Sequence, residues 1–169
     1  MPETTLAISL FDPFQLGDTL LANRFVMAPM TRARAPDTIA NVLSALHYRQ
    51  RAGAGLIVTE GTPVSEEGQG FVAVPGIWST EQVAGWAAVT AGVHAEGGRI
   101  FAQLWHVGRV SHTSLQPGGQ APVSATATPS IDGIASPFAY REDGTPGFVP
   151  ASIPRRLETA EVERVANSD

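Results

Sequence analysis

Asn23-Arg24-Phe25-Val26-Met27-Ala28-Pro29-Met30-Thr31-Arg32 is the stretch that decides the fold. Arg24 to Ala28 reads as a short strand, and Pro29, which has no N–H to donate, ends its pairing. Met30, Thr31 and Arg32 then form a polar edge where a ligand could sit. Two other apolar runs end the same way. Leu56-Ile57-Val58-Thr59-Glu60, rich in β-branched residues, gives way to Gly61-Thr62, and Arg99 to Trp105 gives way to His106-Val107-Gly108. Helical patterns fill both gaps. Asn41 to Ala52 carries Val42, Leu43 and Leu46 on one face and stops at Gly53 and Gly55. Ser79 can cap the next helix, with Gln82 in capping-box spacing. Val83, Trp86, Ala87, Thr90 and Val93 recur at helical intervals before Gly97-Gly98. The order strand, helix, strand, helix, strand predicts a parallel α/β sheet with right-handed crossovers. Ligands of such sheets bind at the carboxyl ends of the strands.

Outside this unit the patterns are shorter. Gln15-Leu16 and Leu20-Leu21 flank Gly17-Asp18, a hairpin signal. Residues 109–155 hold seven of the thirteen prolines, and an unstructured loop of that length is uncommon in a compact domain. They are expected to form an insertion with short hairpins above the strand ends, the alternative being a flexible linker. A further helix starts near Thr159, with Glu161 and Glu163 favouring its first turn.

Composition bounds the function. The chain has 169 residues, 43% hydrophobic and 16% charged, which suits one globular domain. A net charge of -5 argues against a nucleic-acid partner, which wants a basic face. With no cysteine there is no disulfide, thiolate metal site or cysteine nucleophile. Met1-Pro2-Glu3-Thr4-Thr5 lacks the basic start and apolar run of a secretion signal, and no run is long enough to span a membrane. A cytoplasmic protein is expected.

The candidate residues lie at the strand ends. Gln103 puts an amide in mid-strand; it needs polar partners, either neighbouring backbone or a ligand edge that alternates donors and acceptors. The Thr31 hydroxyl could donate to a ligand oxygen or cap its own loop. Gly61 could admit a flat ring close to the backbone or serve as a turn glycine. His94, His106 and His112 lack metal-ligand spacing, and no phosphate-binding glycine loop or serine elbow occurs.

Several stretches together resemble the Old Yellow Enzyme family of FMN-dependent ene-reductases. They are Asn23–Arg34, Tyr48–Ala52, Ala54–Thr62, Val74–Ile77, Ala91–Glu96, Gln103–His106, Gly108–His112 and Gln116–Val123, in family order and spacing. The resemblance runs from about Leu10 to about Val165. It implies an α/β fold, a partial TIM (β/α)8 barrel of about the first three β/α units, with an N-terminal hairpin and the long insertion after the third strand. On that pattern residues 1–169 are the N-terminal part of a single FMN-binding domain whose C-terminal part is absent.

The resemblance also implies roles. Pro29, Met30 and Thr31 line the flavin, with the Thr31 hydroxyl bonded to the flavin carbonyl and helping to set the redox potential. Gly61 offers backbone to the ring, and Gln103 bonds its pyrimidine edge. Trp105 lies in the substrate pocket near Phe71, where the family often has tyrosine. The implied reaction passes hydride from NADPH or NADH through FMN to a small-molecule alkene activated by a carbonyl or nitro group. The family's catalytic histidine pair and tyrosine follow strand four, beyond Asp169, so no catalytic residue is expected in this chain. Little or no activity is therefore expected of it alone. The rival expectation is a non-catalytic binding module, or half of a split enzyme, that needs a complementary C-terminal chain.

Overall fold

The computed structural model describes residues 8–130 and 135–166. Its centre is a three-stranded parallel sheet in the order β3 (Val26–Met27), β4 (Leu56–Pro63), β5 (Ile100–Trp105). Helix α1 (Val42–Arg49) connects β3 to β4, and α2 (Thr80–Ala95) connects β4 to β5. Before it, β1 (Phe14–Leu16) and β2 (Thr19–Leu21) form the expected hairpin, with Gly17 in the left-handed region at φ 54°.

The helices start where their caps dictate. The Asn41 side chain accepts from the N–H groups of Leu43 and Ser44, and the Ser44 hydroxyl accepts the Asn41 N–H. Ser79 and Gln82 form the same reciprocal box on α2, and the Gln82 amide also reaches the Thr38 hydroxyl at 2.9 Å. The core lies between the sheet and the two helices, built from Tyr48, Ile57, Trp86, Val89 and Val93 with Ala40 and Ala52. Trp86 sits at 6.0 Å from the Tyr48 ring and donates its indole N–H to the Gly76 carbonyl. Gly85 lets α2 close on the preceding chain, since a Cβ there would lie 2.6 Å from the Ala40 carbonyl oxygen.

Two expectations are corrected. On α2 the buried stripe is Gln82, Trp86, Val89 and Val93, while Val83 and Ala87 face outward. On α1 the stripe of Val42, Leu43 and Leu46 is exposed, and Tyr48 is the residue that enters the core. Both shifts have one cause: a helical stripe marks an apolar face, and the sheet's position decides which face it covers.

The first strand is shorter than expected, because Pro29 and the loop that follows leave the ladder. The second is longer, running through Gly61-Thr62 to Pro63.

Residues 109–155 contain short elements rather than a bare linker. Strand β6 (Val123–Ser124) pairs in parallel with β9 (Arg155–Arg156), and β7 (Phe138–Tyr140) pairs antiparallel with β8 (Pro146–Phe148). Phe138 also bridges to Phe71. Helix α3 (Thr159–Ala166) starts at Thr159, where the sequence places it. Arg155 and Arg164 both pair with Glu161 and Glu67, tying this helix to the segment after β4. Among the described residues, no helix is long and apolar enough to cross a membrane.

Candidate functional site

The site grows from an irregularity in β4. Val58 stands opposite Phe101 and Gly61 opposite Gln103, so three steps along β4 match two along β5. The extra residue is a β-bulge, a device that re-aims side chains at strand ends. Side chains take over the displaced Glu60 peptide. Its N–H donates to the Tyr48 hydroxyl at 2.9 Å, and its carbonyl accepts the hydroxyls of Thr59 and Thr62 at 2.9 and 3.0 Å. The Thr59 hydroxyl oxygen also accepts the Gln103 N–H at 3.0 Å, filling the place of the lost ladder carbonyl. Thr59, Glu60 and Thr62 are all at most 3% exposed, so each bond is made away from water, where an unmade one costs ~1–3 kcal/mol.

The bulge puts Gly61 and Gln103 directly side by side. The Glu60 side chain brings in the third element: its carboxylate accepts the Arg32 N–H at 2.9 Å and the Tyr48 hydroxyl at 3.4 Å. Thr31, one residue before that anchor, is thereby held at the same end of the sheet. Pro29, Met30 and Thr31 are exposed there, Met30 by 64%. Gln103 is exposed, and its side-chain amide makes no hydrogen bond among the described residues. Trp105 lies over Gly61 so closely that a Cβ on Gly61 would run into the indole. The Phe71 ring is 5.5 Å from that of Trp105, tilted by 34°. Gly61, Gln103, Trp105 and Phe71 thus stand together, and the turn bearing Pro29, Met30 and Thr31 is tied to β4 through the Arg32–Glu60 bond.

Glu60 is a buried carboxyl. Desolvation pushes its pKa above the usual range, partly offset by the N–H groups of Arg32 and Ala33, the Tyr48 hydroxyl and the Arg32 charge. Burial also pushes the Tyr48 phenol upward, so it is a neutral donor at ordinary pH. Beside this pair is a pocket of about 200 Å³ that also touches Arg32, Arg34 and His47. Burial and the charges of Arg51 and Arg32 lower the pKa of His47. A larger open cleft of about 700 Å³ lies between the 33–38 turn and the β7–β8 hairpin. It is separate from the Gly61–Gln103 edge.

Sequence reasoning missed Tyr48, Thr59 and Glu60. One signal was available: Glu60 is a carboxylate closing a β-branched run whose other members are core residues. The histidines are dispersed: His94 is in the last turn of α2, and His106 is half-buried with a pKa lowered by burial. Among the described residues, no three His, Asp or Glu side chains could share a metal ion.

What this edge can do is bounded by its groups: a hydroxyl, an exposed amide and two aromatic rings suit a flat, polar-edged ring, while Gly61 itself is buried and the space where its side chain would be is filled by the Trp105 indole. The comparisons agree with that chemistry. The NADH:flavin oxidoreductase / NADH oxidase family matches residues 9–165. The 12-oxophytodienoate reductase 7 of Oryza sativa subsp. japonica is 44% identical over 158 residues, 92% of this chain and 39% of that protein. The 12-oxophytodienoate reductase 2 of Arabidopsis thaliana is 36% identical over 166 residues, 98% of this chain and 42% of that protein. Morphinone reductase in complex with tetrahydroNAD superposes with a TM-score of 0.91 at 49% identity, covering 96% of this chain and 44% of its own. The old yellow enzyme homologue from Zymomonas mobilis gives 0.83 at 40% identity, covering 95% and 43%. The chain spans about two-fifths of the length of these relatives.

Proposed function

Because the chain belongs to the NADH:flavin oxidoreductase / NADH oxidase family, we propose that it is the flavin-facing part of an FMN-dependent ene-reductase. In this account β3, β4 and β5 are about the first three strands of a (β/α)8 barrel, and residues 109–155 are its loop-and-hairpin insertion. The supporting observation is the Gly61–Gln103 register pair, set beside the turn that bears Thr31.

The residues present fit FMN. Gln103 offers a free amide that can both donate and accept, as the pyrimidine edge of a flavin requires. Thr31 offers a hydroxyl to a flavin carbonyl, and Gly61 meets the ring only through its backbone groups, since the Trp105 indole fills the space where its side chain would be. Pro29 and Met30 line its side. FMN, when bound, supplies the hydride chemistry that links NADH or NADPH to an alkene activated by a carbonyl or nitro group. The chain's own part is to bind and orient. Phe71 and Trp105 flank the space for the alkene and keep water from it. No residue of this chain takes the role of polarising the alkene or giving the proton; in the family those groups follow strand four. A cytoplasmic location goes with this function.

The second reading is a non-catalytic half that works with a complementary chain. It is favoured by Val26, Leu43 and Leu104, apolar side chains 53%, 67% and 63% exposed on the rims of the sheet and on α1. Both readings are tested by one assay. The chain is mixed with FMN, NADPH and 2-cyclohexenone, alone and with a polypeptide carrying the C-terminal part of a relative. Turnover only in the mixture is the expected result. Robust turnover by the chain alone would contradict its incompleteness, and none in either case, with FMN unbound, would remove the ene-reductase proposal.

A further inference from the structure

We infer that Glu60 is a positioning residue that sets the three flavin-facing positions through one buried junction, an inference that rests on the flavin function proposed above. The carboxylate holds the turn after β3 by accepting the Arg32 N–H at 2.9 Å. That turn is strained: Ala33 has φ 50°, the left-handed region that side-chain-bearing residues avoid. The Glu60 peptide has left the β4–β5 ladder, and Tyr48, Thr59 and Thr62 hold it in place. The bulge therefore puts Gly61, and not Glu60, opposite Gln103. One residue thus locks the Thr31 turn with its side chain and the Gly61–Gln103 register with its backbone. A carboxyl 3% exposed is costly to bury, and an apolar residue would pack there without needing these partners. What the carboxyl adds is the position of Thr31 relative to the neighbouring strands.

Residues that act as a unit lose additivity, and a double-mutant cycle isolates that loss. The cycle compares the full chain with Thr31→Ala, Glu60→Leu and the double variant. It reads FMN affinity by quenching of flavin fluorescence, and exchange of the Arg32 amide in the absence of flavin. We expect Glu60→Leu to weaken FMN about tenfold in the Thr31 background and by no more than about twofold in the Thr31→Ala background, a coupling within the range for linked residues. The Arg32 amide should exchange faster in Glu60→Leu. Equal losses in both backgrounds, or an unchanged Arg32 amide, would overturn the positioning role while leaving the flavin function intact. No effect of Thr31→Ala on FMN would overturn the flavin role of Thr31, and this inference with it. If Glu60→Leu does not fold, Glu60→Gln enters the same cycle. It keeps one acceptor oxygen, so a smaller loss with the same non-additivity is expected, and an additive loss overturns the inference equally.

Discussion

Strands β4 and β5 lie side by side in one sheet yet have opposite surroundings. Seven of the eight β4 residues are buried, and none of the six in β5 is. Strand β4 has a neighbour on each side and helices above it. Among the described residues, strands β3 and β5 each have one neighbour, and their apolar side chains Val26, Phe101 and Leu104 are open to solvent. The difference teaches that position in the sheet, more than strand composition, decides burial here. The centre of the sheet holds the fold and the polar junction, whereas its rims carry apolar surface of the kind that further strands cover.

The comparison breaks most readily through the core. Trp86→Ala should cost ~3–5 kcal/mol in chemical denaturation, whereas Leu104→Ala on the rim should stay within ~0.5 kcal/mol. Similar losses for the two would mean that the rim is packed in solution. The junction comes next. Tyr48→Phe leaves the Glu60 N–H without its hydroxyl partner, and a loss of ~1–3 kcal/mol is expected. A neutral result would show that the bulge holds itself.

Acid titration sharpens the contrast further. Glu60 keeps its proton to higher pH when folded than when unfolded. The folded chain therefore binds more protons in that window, and stability falls as pH rises above the ordinary carboxyl range near 4.5. Glu60→Gln should lack that fall when denaturation is followed from pH 4.5 toward neutrality. The smallest effect is at the surface. Arg155 holds the Glu161 carboxyl down at about 2, so its contribution is present above pH 4.5 and is lost as pH falls through about 2. Because the pair faces solvent, Arg155→Ala should alter only this acid limb, and salt should erase most of the effect.

Local signals carried the fold a long way. The Ser79 cap, the Gly17 turn and the alternation of apolar runs are all chain-local, and each appears in the structure, although the first helix ends at Arg49 rather than Ala52 and the first two strands differ in length from the expected runs. The buried faces of α1 and α2 were not legible, because which side of a helix meets the sheet depends on where the sheet lies. The site was legible as three strand ends but not as a junction. Nothing local says that Tyr48 bonds Glu60, twelve residues away, or that β4 gains a residue against β5. Gly61 looked like a turn glycine because its strand continues only by means of that bulge.

The central claim is that FMN lies against the carboxyl ends of β3, β4 and β5. Hydrogen exchange at single-residue resolution, with and without saturating FMN, tests it most directly. The account predicts that FMN slows exchange at the amides of Thr31, Gly61 and Gln103 together. Protection confined to the β7–β8 hairpin, or spread over none of those three amides, would contradict it.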